Sequence, residues 1–129
     1  MPDNAAVSLN RIALILVFSL FAFGVYYVWL VLDRQRRYEE IVAVLDAANP
    51  YKAEVEKALR SGAPVPAPAA TPRNARAMSA RPDGTIVIEI SDDLVPGARL
   101  TIRPESIGKG EYAWTCRGEG MRFAPAACR

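Results

Sequence analysis

Residues 12–32 read IALILVFSLFAFGVYYVWLVL, an uncharged run of aliphatic and aromatic side chains. A helix of that length crosses the roughly 30 Å hydrocarbon layer of a bilayer while bonding all of its own backbone groups. A buried core helix is the competing reading, but a chain of 129 residues offers too little protein to hide a helix that is apolar on every face. A cleaved secretion signal also fits poorly. Its apolar region is shorter and ends at a small-residue cleavage site, whereas this run meets Asp33-Arg34-Gln35-Arg36-Arg37. The expectation is one transmembrane helix over 12–32 after a short segment 1–11. Tyr26, Tyr27 and Trp29 stand near its C-terminal boundary, where amphipathic rings favour the headgroup zone.

Two signals disagree about orientation. Arg34, Arg36 and Arg37 follow the helix and only Arg11 precedes it, which by the positive-inside rule favours a cytoplasmic C-terminus. Against this stand Cys116 and Cys128, whose spacing near the end of a small domain suits a disulfide and hence an oxidising compartment.

Beyond the arginines, Tyr38, Ile41, Leu45, Ala48, Tyr51, Val55 and Leu59 recur at spacings of three and four, predicting an amphipathic helix over 33–61. Pro50 predicts either a kink near Asn49-Pro50 or a break at which Asn49 caps a new helix. Gly62 ends the pattern. Residues 62–75 then form a connector rich in proline and alanine, suited to a flexible linker or to a loop laid across a domain.

Over 76–129 the period becomes two. Ile86, Ile88 and Ile90 alternate with Thr85, Val87 and Glu89, and Pro82-Asp83-Gly84 is a turn signal joining this strand to a preceding one over 76–81. Residues 99–103 alternate Leu100 and Ile102 with polar neighbours, and residues 111–116 place Tyr112, Trp114 and Cys116 on one face. The predicted class is α+β: a transmembrane helix continuing into an amphipathic helix that covers one face of a four-stranded antiparallel sheet.

Closing the loop between Cys116 and Cys128 would contribute roughly 3 kcal/mol, a large share of stability for so small a domain. Two reduced thiols are the alternative, and a zinc site lacks further ligands, since the chain contains no histidine.

The segments DGTIVIEI, LVPGARLTIRP, YAWTC and PAACR, in that order from Asp83 onward, resemble the C-terminal domain of bacterial type IV pilins. In that family a glycine-led strand is followed by a strand ending near a proline, a tryptophan two residues before one cysteine, and a proline shortly before the other. Gly84, Trp114, Cys116, Pro125 and Cys128 carry the resemblance, with Gly97, Leu100 and Pro104 matching looser parts. It extends more weakly back through the helix to Tyr38. It implies a pilin-like fold, a disulfide between Cys116 and Cys128 that delimits a surface loop engaged in subunit contacts and adhesion, and a C-terminal domain in the periplasm or cell exterior, held by the inner membrane. Typical pilin precursors also carry a leader ending in glycine and an early glutamate in the apolar helix. Here no glycine precedes the run and no acidic residue lies between Asp3 and Asp33, so an accessory or anchored component is expected rather than a major subunit.

The expected function is a non-enzymatic structural or accessory component of a type IV pilus or related filament system. The alternative is a membrane signalling or assembly-regulating protein that uses a pilin-like domain for recognition. Expected partners are membrane lipid and other pilin or pilus-assembly subunits. No catalytic residues, cofactor, metal or small-molecule substrate are expected, because the commonest general base is missing and Gly108-Lys109-Gly110 lacks the spacing of a phosphate loop. Asp92-Asp93 reads as a solvated turn. Nucleic acid is not an expected partner: basic and acidic side chains nearly balance over 76–129, unless folding groups Arg99, Arg103, Arg117 and Arg122.

Overall fold

The computed structural model describes residues 3–129, with side chains from Ser8 onward. The chain divides after Arg36 into two compact units. The first is helical throughout its described length and belongs to α1 (Asp3–Ala47). The helix thus starts ahead of the expected residue 12, and residues 1–2 of the predicted N-terminal segment lie outside the described residues. Most large apolar side chains from Leu14 to Leu32 remain exposed, Phe21 at 71%. The helix is long and apolar enough to cross a membrane. After the apolar run, Arg36 pairs with Asp33 one turn back at 3.0 Å.

The second unit holds the rest of α1, then α2 (Asn49–Ser61), β1 (Ala75–Ala80), β2 (Ile86–Ile90), β3 (Arg99–Gly108), β4 (Glu111–Glu119) and a short 3-10 turn at Ala126–Cys128. Its four strands form one antiparallel sheet in the order β1-β2-β3-β4, each paired with its sequence neighbour. Ile86, Ile88, Ile90, Leu100 and Ile102 cover one face and bury themselves against Ile41, Val44, Ala48, Tyr51 and Val55. These side chains form a single core, in which each methylene removed from water contributes about 0.8 kcal/mol. Of the expected helix face, Tyr38 stands out at the margin, 36% exposed, while Val44 and Ala58 join the buried set. Arg37 also belongs to this unit: its guanidinium donates to the carbonyl of Leu94 at 3.0 Å, fixing the loop between β2 and β3.

Backbone hydrogen bonding continues across the junction of α1 and α2. Ala48 retains helical angles, its N–H reaching Val44 O and Leu45 O, and Lys52 N–H returns to Ala48 O at 3.0 Å. Asn49 is therefore not a cap. It is the first residue of α2, Ala48 holds the N-cap place without a side-chain bond, and Pro50 occupies the first turn, where a missing N–H costs little. Gly62 terminates α2 at φ +68°, allowing Ala63 N–H to reach back to Ala58 O at 3.0 Å. The connector is laid across the domain: the Tyr51 hydroxyl donates to Pro66 O at 2.6 Å and Val65 packs on the core.

β3 and β4 both outrun their expected ends. Pro104 lies beyond the reach of β2, whose pairing with β3 starts at Ile86 opposite Ile102, so its missing N–H breaks no ladder there. Arg117, Gly118 and Glu119 continue β4 opposite Thr101, Leu100 and Arg99. Arg81, expected in β1, instead closes the turn, its N–H bonding Thr85 O at 2.8 Å.

Candidate interaction surface around the terminal disulfide

Alternation along β4 sends Trp114 and Cys116 to the helix side of the sheet, opposite Pro104 and Ile102 of β3. The chain reverses at Gly120, whose φ of +69° and tight approach to the Gly97 carbonyl leave no room for a side chain: a Cβ there would lie 2.5 Å from that oxygen. Pro125 then leads into the 3-10 turn, and Cys128 bonds Cys116. The two sulfurs are joined to each other, as the disulfide reading expects. Cys128 and Pro125 are buried, while Trp114 and Cys116 are half-buried.

Trp114 is the hub between this tail and the helix. Its Nε1–H donates to Glu56 Oε2 at 3.4 Å, and Lys52 Nζ lies 5.7 Å from its ring centroid, within range of a cation–π contact. Glu56 is also paired with Arg60, and Arg60 Nε–H donates to Gly110 O at 2.6 Å. One stripe of α2 thus holds both β4 and the turn before it. Lys52, Glu56 and Arg60 were not singled out from sequence, although their spacing of four, with alternating charge, was the signal for a single face.

Between helix and tail lies a groove of about 350 Å³ lined by Tyr38, Leu45, Asp46, Lys52, Trp114 and Pro125 among others. Its floor is apolar and its helix-side rim carries one cation and one carboxylate. Among the described residues no cluster of three metal-ligating side chains occurs.

Gly84 sits apart from the disulfide. It lies inside a turn in which Asp83 Oδ1 accepts from Thr85 N–H at 2.9 Å, a bond that holds the Asp83 carboxyl below its usual range. At φ +91° it lets the turn approach α2 and β3: an added Cβ would stand 2.8 Å from Leu59 Cδ1 and 3.0 Å from Pro104 Cγ. The five residues of the expected motif therefore occupy two places, one on each side of β3.

Arg99 does not gather with other cations into an uncompensated patch. It pairs with Glu89 at 3.5 Å and stands opposite Glu119, while Arg76 bridges Glu89 at 2.9 Å and Asp92 at 3.4 Å. Arg103 and Arg117 share the outer face of the sheet with Arg99, and Arg122 lies in the tail. Asp92 additionally accepts from Gly97 N–H, so it serves its turn and a surface ion pair.

Comparison with protein-family models, with curated proteins and with solved structures finds no match to this chain.

Proposed function

We propose that this chain is a membrane-anchored, pilin-like protein, a non-enzymatic structural or accessory component of a type IV pilus or related filament system. Its C-terminal unit would face the periplasm or cell exterior, with the helix over 12–32 in the inner membrane. The observation that carries the proposal is the tail: a disulfide returns a proline-led terminal turn to the last strand of an antiparallel meander, two residues past the strand's tryptophan. Further support comes from the helix, whose residues beyond the apolar run bury one side against that same sheet. Such a unit acts by presenting surfaces, and its expected partners are lipid and other filament or assembly subunits.

The test is fractionation of cells producing the full chain, with immunodetection in sheared surface material and in membranes after thiols are alkylated at the moment of lysis. An oxidised chain found with filament subunits, in the sheared material or in complexes extracted from the membrane, supports the proposal. An oxidised chain bound only to a partner unrelated to filaments favours the signalling alternative. Free cysteines in the cell would reverse the proposed orientation.

A further inference from the structure

The outer face of the sheet turns away from the disulfide-bonded tail. Gly118 stands opposite buried Leu100, and Ala124 and Met121 approach within 2.9 and 3.0 Å of where its Cβ would be, so the tail returns on the core side. On the other side Arg103, Thr115 and Arg117 are exposed and Thr101 is half-buried. Register sets Thr101 opposite Arg117 and Thr115 opposite Arg103. The two arginines therefore occupy one diagonal of a square, with Cβ atoms about 7 Å apart. Side chains of that length can converge on one small anion.

The neighbouring arginines of this face are already compensated: Arg99 pairs with Glu89, and Arg76 with Glu89 and Asp92. Among the described residues, Arg103 and Arg117 have no carboxylate within ion-pair distance. Glu105, next along from Arg103, stands opposite Ala113, and Glu119, next along from Arg117, stands opposite Arg99. Asp83 lies within electrostatic range of Arg103, but its carboxylate accepts from Thr85 N–H. The Thr115 hydroxyl reaches Arg103 O at 3.4 Å, which leaves Thr101 as the hydroxyl between the two guanidinium groups.

These groups select a ligand. Guanidinium forks bind oxyanions through paired, charge-assisted N–H donors. Two of them balance the roughly −1.5 to −2 charge of a phosphate monoester, whose three terminal oxygens can accept from both forks and from Thr101. A single carboxylate brings less charge and fewer acceptors. Glu89, Glu105 and Glu119 border the square and repel further negative charge, and no aromatic residue has the outer parity in any of the four strands to stack a base. A nucleic-acid strand or a crowded anionic lipid surface is thereby disfavoured against an isolated group.

We infer that Arg103, Thr101 and Arg117 form a binding site on the outer face of the sheet for the phosphate monoester of a small soluble ligand. The arginines supply the charge and the forks, and Thr101 supplies a hydroxyl donor between them. The site is open to solvent, so binding is weak and sensitive to salt.

The test titrates the full chain, in non-ionic detergent and phosphate-free buffer of low ionic strength, with inorganic phosphate and with glycerol 3-phosphate. Backbone amide and arginine Nε resonances are followed by NMR. Both probes are expected to shift the signals of Thr101, Arg103 and Arg117 saturably. Arg103→Gln and Arg117→Gln are each expected to weaken binding about fivefold, and Thr101→Val about twofold. Arg76→Gln removes the same charge from the same face and is expected to leave the affinity unchanged. A retained disulfide and near-UV spectrum show that each variant is folded. No saturable shift, acetate binding as tightly as phosphate, or an equal loss with Arg76→Gln would overturn the proposal. So would tighter binding of an oligonucleotide, or of an anionic lipid added to the micelles, than of glycerol 3-phosphate.

Discussion

Gly84 has little freedom to change. Its φ of +91° is strained for any L side chain, and a methyl would press on Leu59 and Pro104 at once. Gly84→Ala is expected to cost about 1–3 kcal/mol, measured as a lower midpoint in chemical unfolding of the detergent-solubilised chain. Tyr51 has the opposite character, with its ring in the core and its hydroxyl holding the connector through Pro66 O. Burial first, then the nearby Glu54 carboxylate, raises its pKa above the ordinary phenol value. The neutral form is therefore favoured by folding. Its contribution is complete below the unfolded-state pKa and is lost as pH rises through the raised folded value. Tyr51→Phe is expected to remove about 1 kcal/mol and to speed amide hydrogen exchange over residues 62–70, with the alkaline limb of stability becoming shallower.

Among the elements, the tail depends most on a single bond. Cys116 and Cys128 lie twelve positions apart in the chain, and the 3-10 turn between Pro125 and Cys128 is far too short to persist alone. Reduction, or the double substitution of both cysteines by serine, is expected to cost roughly 3 kcal/mol and to shift Trp114 fluorescence to longer wavelength as the tail releases the groove. The strands were largely legible beforehand because Ile86, Ile88 and Ile90 fix a period of two that few other structures satisfy. Their ends were not. Whether Pro104 stops β3 depends on how far β2 reaches, and that is a fact of pairing rather than of local sequence. Asn49 invited assignment as a cap, yet tertiary burial of Ala48 and Tyr51 on either side keeps the backbone helical through it. At the candidate surface the cysteines and Trp114 were visible in the sequence. The Lys52–Glu56–Arg60 stripe was readable as a surface pattern, but its attachment to Trp114 and Gly110 required the fold.

For the whole molecule, the proposed membrane location rests on the apolar segment. Phe21 lies near the middle of the run over 12–32, and Phe21→Arg places a charge where insertion is penalised by about 2.5–3.5 kcal/mol. The variant is expected to partition partly into alkaline carbonate washes that leave the wild type in membranes, while its disulfide unit keeps the same unfolding midpoint. The strand order has a consequence in time. Every strand pairs with its immediate predecessor, so the sheet assembles through successive short loops, the kind of topology that closes rapidly. The cysteines meet only after β4 has settled on β3, and oxidation then joins segments that are already neighbours. The disulfide should therefore leave the folding rate almost unchanged and act as a latch, prolonging the lifetime of the folded unit by slowing its unfolding.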